Sequence, residues 1–347
     1  MVEFRVLAPD DVPWNALDAF EDRVVFQTRE WLNFIAASQA ATPLVAEIRE
    51  GSGVVGYFSG LVVRKLGVRI LGSSFPGWTT PYIGFNIARG YPRARLLEPL
   101  VQWAFQELGC MHVEVSDLAF QSHDGRGGRL HATTYESYKS DLTKSEDELF
   151  MGMESACRRC IRKADKSGVV IEEAHDLAFA DEYYAQLQDV FAKQGKVPTY
   201  SVERVRMLLE HLLPTGRLLA VRARNPDGRC IATSIYPGMN HVAFFWGNAS
   251  WRSEQHWRPN EYLHWYALRY WKARGVRMFD WGGGGTYKKK YGVEPHVVPW
   301  FYGSKYPLLT TIRDEARRLY YRSQKLVGRL RGVPQPTAQA QHAARLE

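Results

Sequence analysis

The sequence predicts an α/β (α+β) protein made of two related units, and three observations carry that prediction. Runs with helical spacing alternate with β-rich runs along most of the chain. The order helix–glycine–strand–acid occurs twice: Gly109 precedes Glu114 by five residues, and Gly275 precedes Asp280 by five. Between the two lies QSHDGRGGRLHATT, a polar, glycine-rich stretch that reads as a turn or loop. With 347 residues, 45% hydrophobic and 24% charged, the chain has material for about two domains. The expected division is an N-terminal domain over 1–140, a second over 141–306, and a basic helix with a disordered tail over 307–347.

Taken in order, EFRVLAP opens as a strand and VFQTREWLNFIAAS follows as a helix. PLVAEIRE, GVVGYFSGLVVRK and GVRILGSS are strands, the first two joined by a hairpin turn at Gly51–Gly53. FPGWTTPYIGF, rich in Pro, Gly and aromatics, reads as irregular. Pro92–Leu108 is a helix capped by Gly109, and MHVEVSD is a strand. Ser145 and Glu148 form a capping-box pattern that starts a long helix ending at Gly168. VVIEEAH is a strand, and Leu177–Lys193 and Val202–Leu213 are helices. RLLAVRAR and CIATSIYP pair around the turn Asn225–Gly228. HVAFFWGNAS is a single strand, Asn260–Arg274 a helix, and VRMFDWG the strand that ends the second repeat.

Charge and motif content exclude several functions. The N-terminus has neither a basic region nor an apolar one of a secretory signal, and no apolar run approaches ~20 residues, so a cytoplasmic protein without a membrane span is expected. The four cysteines then have no oxidising compartment to pair in. Cys157-Arg-Arg-Cys160 has the spacing of a redox pair or half a zinc site. However, Leu149, Met153, Cys157, Cys160/Ile161 and Ala164 recur at helical spacing, so both thiols should face a core and no metal is expected. No G-x-S-x-G or H-E-x-x-H occurs. The run Gly282–Gly285 before Lys288 lacks the G-x-x-x-x-G-K-[ST] spacing of a phosphate loop, which removes nucleotide hydrolysis.

The chain carries 45 Lys+Arg against 37 Asp+Glu, and nine of those cations against three acids lie between Lys305 and Glu347. This segment is either a solvated amphipathic helix or a surface for anions such as tRNA, nucleotide-linked substrates or anionic lipid. Arg158, Arg159, Arg162, Lys163 and Lys166 share one helix with a single intervening acid, Asp165. They read as a wet basic face or as an anion-binding face. Tyr262, Tyr266 and Tyr270 repeat every four residues on the next long helix. Trp246, Asn248 and Trp251 lie at a strand end, where they either pack a core or wall a substrate cleft.

Together, FQTREW (26–31), the Arg158–Lys163 helix before Gly168, the strand ending FDWGG, and TYKKKYG followed by Glu294-Pro295 resemble the FemAB-like (BioF2-like) branch of the GNAT acyltransferase superfamily. The likeness spans roughly residues 20–300. It implies two tandem GNAT-like domains, each a mixed, largely antiparallel sheet flanked by helices. It also implies amide-forming acyl transfer to a primary amine of a small or cell-envelope precursor, from aminoacyl-tRNA or, alternatively, from acyl-CoA or acyl-ACP, without a tightly bound cofactor. The missing Q/R-x-x-G-x-G/A loop of acetyl-CoA-dependent enzymes and the basic charge favour aminoacyl-tRNA.

The family's aromatic-Lys-x-x-aromatic-Gly signature matches Tyr287, Lys288, Tyr291 and Gly292, and places Lys288 at the reacting centre. There a fixed donor stabilises the oxyanion of a tetrahedral intermediate. Lys193 matches the family's basic residue two before a glycine, assigned to the acceptor's anionic part, although arginine is commoner there and a lysine offers no bidentate fork. Asp280 is a candidate base. If TYKKKY is a strand, Lys288 and Lys290 share a face. A non-catalytic module that binds anionic polymer or lipid is the rival reading.

Overall fold

The computed structural model describes residues 1–65, 67–121, 123–125, 128–192, 196–311, 313 and 315. They form two compact units. Unit 1 holds the chain up to Glu136 and takes it up again at Val297; unit 2 runs from Ser137 to His296. Unit 1 is therefore discontinuous, whereas a linear reading divides the chain at 140 and 306.

In unit 1, β1 (Val2–Val6) is followed by helices α1 (Trp14–Asp18) and α2 (Arg29–Gln39). Thr28 caps α2 by accepting the Trp31 N–H. β2 (Thr42–Glu50), β3 (Gly53–Lys65) and β4 (Val68–Gly72) form an antiparallel meander, and β5 (Phe85–Ile87) adds to β3. α3 (Leu97–Gln106) leads through Gly109 to β6 (His112–Val115), which runs parallel to β4. Next in the chain come β7 (His131–Asp141) and, for unit 2, α4 (Glu146–Gly152), α5 (Ser155–Lys166), β8 (Val170–Glu173), α6 (Phe179–Ala192) and α7 (Val202–Leu212). β9 (Leu218–Arg224), β10 (Cys230–Met239), β11 (Val242–Phe244), β12 (Gly247–Ser250), α8 (Pro259–Ala273), β13 (Met278–Gly283) and β14 (Glu294–Ser304) complete the order. From Val297 onward β14 belongs to unit 1, where it lies antiparallel to β6.

The repeat read from the sequence is a repeat of structure. In unit 1 the parallel pair ends with Gly72 opposite Glu114, and Ser73 donates its N–H to the Glu114 carbonyl at 2.9 Å. In unit 2 the parallel pair β11 and β13 ends with Phe244 opposite Asp280, and Phe245 donates to the Asp280 carbonyl at 2.8 Å. Each acid-ended strand also has an antiparallel neighbour: β14 beside β6, and β7 beside β13. Each follows a helix closed by a glycine of positive φ, Gly109 or Gly275.

Past those matching bonds the units differ. In unit 1 the Ser73 hydroxyl accepts from the Ser116 N–H and donates to the Ser116 carbonyl, both at 2.8 Å, so β4 and β6 stay stitched together. In unit 2 the next rung would join Gly247 to Gly282. Instead Gly247 turns to β10, opposite Ile235, and β12 leaves β13. The sequence reads HVAFFWGNAS as one strand; the structure breaks it at Phe245–Trp246, because its first half serves β13 and its second half only β10.

The long helix expected from Ser145 to Gly168 is two helices. The Ser145–Glu148 capping box is present, but the ladder stops at Met153 and Glu154, both extended. The break is where the TYKKKYG segment docks. Glu154 donates its N–H to the Lys290 carbonyl at 2.9 Å, and Gly292 lies so close that a Cβ there would stand 2.5 Å from the Gly152 carbonyl oxygen. The apolar stripe predicted on this element holds: Leu149, Met153, Cys157, Ile161 and Ala164 are buried in the unit 2 core. Cys160 is half-buried, so the stripe passes through Ile161 and only Cys157 is enclosed. β5, β7 and β14 went unread, because they lack the clean apolar alternation that marks a strand. The segment 307–347 lies almost wholly outside the described residues. Among those described, no helix is long and apolar enough to cross a membrane.

Candidate active site

The centre of unit 2 is the point where β11 and β13 part. Asp280, 1% exposed, takes two hydrogen bonds at Oδ1: from the Ser137 hydroxyl at 3.0 Å and from the Gly282 N–H at 2.7 Å. Beyond it the backbone turns through Gly282, Gly284 and Gly285, all at positive φ. Only glycine takes such a run without strain. The turn brings three carbonyls to one point, and the Lys288 ammonium fills it. Its Nζ donates to the carbonyl oxygens of Trp281 (2.5 Å), Gly282 (3.2 Å) and Gly283 (2.7 Å). Gly282 is the residue whose carbonyl the absent rung to Gly247 would have used. Lys288 is 4% exposed and lies 5.6 Å from the Phe245 ring and 5.9 Å from the Tyr287 ring.

Thr286–Tyr291 is a 3-10 helix, so the strand on which Lys288 and Lys290 would share a face is not formed. In that geometry residues three apart share a face, so Lys288 is buried with Tyr291 rather than with Lys290. Tyr291 stacks on Trp281 with ring centres 4.6 Å apart. Lys289 is exposed, and Lys290 pairs with Glu261 in the first turn of α8 at 2.6 Å. Tyr287 stands half exposed beside Lys288. Of the three lysines, Lys288 alone turns inward.

Below this point an aromatic box encloses His264 of α8. The rings of Tyr236, Phe245, Trp281 and Tyr291 surround it, and its Nδ1 lies 2.7 Å from the Tyr236 hydroxyl. Burial and the nearby Lys290 and Lys288 charges hold its pKa down at about 3, so the ring is neutral. The sequence reading passed over His264. Its signal was a polar residue at a core position of an otherwise apolar helical stripe.

The remaining predicted residues fall at three other places. Trp246, on the connection into β12, is buried against Tyr183 and Tyr200, with the Arg204 guanidinium 6.0 Å from its ring. Asn248 of β12 donates its amide to the Thr233 carbonyl at 3.1 Å. Arg158 is tied to the helix break, donating to the Met151 carbonyl at 2.8 Å and also to the Met153 carbonyl. Arg162 lies over the Phe150 ring at 5.1 Å and lines an open basic cleft with Arg159, Lys163, Lys166 and Ser167. Asp165, the one acid in that stretch, accepts from the Tyr262 hydroxyl at 3.0 Å. No ion pair neutralises Arg159, Arg162, Lys163 or Lys166 among the described residues. Lys193 lies outside the described residues. Among those described, no cluster of side chains could hold a metal ion.

Residues 153–291 match the family described as "Acetyltransferase (GNAT) domain". Among solved structures, FemX superposes with a TM-score of 0.69 at 12% identity, over 86% of this chain and 96% of that one. A tandem GNAT protein from the clavulanic acid biosynthesis pathway gives 0.53 at 13% identity, over 88% and 99%. L-PGS from Bacillus licheniformis gives 0.51 at 10% identity, over 88% and 95%. The comparison with curated proteins returns no match. The chain therefore has a tandem GNAT fold, and the candidate site lies at the parted strands of its second unit. Its architecture is similar to that of FemX over most of both chains.

Proposed function

We propose that unit 2 forms an amide by transferring an acyl group to the primary amine of a small or cell-envelope precursor, with aminoacyl-tRNA as the favoured donor. The observation that carries this reading is the Lys288 ammonium, fixed where β11 and β13 part. A tetrahedral intermediate places negative charge on the former carbonyl oxygen, and a cation already held in place stabilises it without reorganisation. The longest of the three Lys288 bonds, to Gly282, is the one the donor's carbonyl oxygen displaces. Tyr287, half exposed beside the ammonium, flanks the acyl group. Arg162 and the rest of the α5 basic face take the phosphates of acceptor and donor, Lys193 adds a further cation for the acceptor's anionic part, and Trp246, Asn248, Tyr262, Lys290 and Tyr291 shape and support the cleft.

Two features support the choice of donor. The connection between β12 and α8, Trp251–Arg258, contains no glycine, and α8 opens with Glu261 rather than a bare anion-binding turn. That connection lacks the glycines of a diphosphate-binding loop and sets a carboxylate in the first turn of α8. Arg159, Arg162, Lys163 and Lys166 of α5, by contrast, have no ion-pair partner among the described residues and suit a phosphate backbone. The reaction is cytoplasmic, where charged tRNA is found, and the basic C-terminal segment supplies any peripheral contact with anionic lipid.

The test is transfer of labelled amino acid from a charged tRNA pool to candidate amines, run beside labelled acyl-CoA. RNase abolishes product formation on this reading. Product formed only from acyl-CoA would assign the thioester donor instead. Salt-sensitive polymer binding with no product from either donor would make the protein a binding module.

A further inference from the structure

We infer that His296 accepts the amine proton during acyl transfer, beside the Asp280 carboxylate. This rests on the function proposed above and names the base that reaction requires. Among the described residues of unit 2, His296 is a polar side chain whose two ring nitrogens are both covered and both without a hydrogen-bond partner. Leaving such a group buried and unpaired is costly, and an uncompensated cost of that kind is typical of working sites. His296 is the third residue of β14, four residues past Gly292, so the segment that places Lys288 also delivers it.

The charges that act on His296 come from two strands. Asp280 is on β13, and Lys139 is on β7 directly opposite Asp280 in the ladder. Ser137, two residues before Lys139, holds Asp280 in place. Burial pushes the His296 pKa below its usual value, Lys139 lowers it further, and Asp280 pulls it back. The ring is therefore neutral near pH 7, with lone-pair capacity and a carboxylate ready to stabilise the imidazolium.

The step balances without a further reagent. The amine nitrogen bonds to the acyl carbon and its proton passes to His296. The bond from that carbon to the donor's ester oxygen breaks, and the imidazolium returns the proton to the leaving oxygen.

The experiment compares kcat/KM against pH for the full chain, His296→Gln and Lys139→Met, using a weakly basic acceptor amine so that the acid limb reports the enzyme. Wild type should lose rate as pH falls through a midpoint below 6.5, the ordinary histidine value. His296→Gln should lose about 10²-fold or more at neutral pH and show no such limb. Lys139→Met should move the limb to higher pH, because a charge opposing the imidazolium is gone. If His296→Gln does not fold, the Lys139→Met shift decides, and an unmoved limb overturns the inference. A folded His296→Gln within about threefold of wild type, with its limb intact, also overturns it while leaving the transferase reading in place. Wild type that acylates no amine from any donor removes that reading and this inference with it.

Discussion

Replacing Lys288 with methionine keeps the length and apolar stem of the side chain and deletes the ammonium. In the wild type that ammonium serves three backbone carbonyls at 2.5, 2.7 and 3.2 Å. Each carbonyl left without a donor costs roughly 1 kcal/mol where water can partly replace the bond, so the variant should lose about 3 kcal/mol. For a unit of about 160 residues this corresponds to a fall in Tm of roughly 6–12 °C. The removal of transition-state charge stabilisation should lower kcat by about 10²–10³, measured below the variant's own Tm with KM followed separately. Calorimetry and acyl-transfer kinetics on one preparation separate the two effects. A Tm within about 1 °C of wild type would show that the ammonium does not hold the turn. Undiminished kcat in a stable variant would show that Lys288 takes no part in the chemistry.

Three further outcomes are expected. His264, neutral with a pKa of about 3 when folded and near 6.5 when unfolded, must gain a proton for the acid-unfolded state, so its contribution is complete above pH 6.5 and lost as pH falls toward 3. Between pH 6.5 and 4.5 the loss should be about 2–3 kcal/mol by urea titration, and His264→Phe should flatten that slope. Gly292→Ala forces a side chain onto a φ of +69° and against the Gly152 carbonyl, and should lower Tm by an amount corresponding to about 2 kcal/mol or more. Replacing Arg159, Arg162, Lys163 and Lys166 with Gln should leave Tm unchanged within about 2 °C while reducing the slope of log K against log salt for RNA by about 3; an unchanged slope assigns RNA contact elsewhere.

Much of the fold was legible because its logic is local. Gly109 and Gly275 end helices wherever they occur, and the acids five residues later mark equivalent strand ends. Binary patterning likewise put Cys157 and Ile161 in a core. What escaped was set by partners distant in sequence. Nothing within HVAFFWGNAS says that its halves serve different neighbours. Nothing around Gly152 announces that Gly292 and Lys290 will break a helix there. At the candidate site, the resemblance singled out Lys288, and the structure adds why it is the inward one of three: a 3-10 turn, whose three-residue spacing the sequence did not announce. His296 was invisible because what marks it is the hydrogen bonds it does not make and the charge of Asp280, sixteen residues away in the chain.

The two serine bonds between Ser73 and Ser116 have a consequence for counting. The chain holds two copies of one strand arrangement, but a molecule that must slip its backbone between parted strands finds the first copy sewn shut and the second open. Such a molecule should saturate at one per chain, with no cooperativity between halves, and a titration that reached two would mean the stitch at Ser73 can be undone.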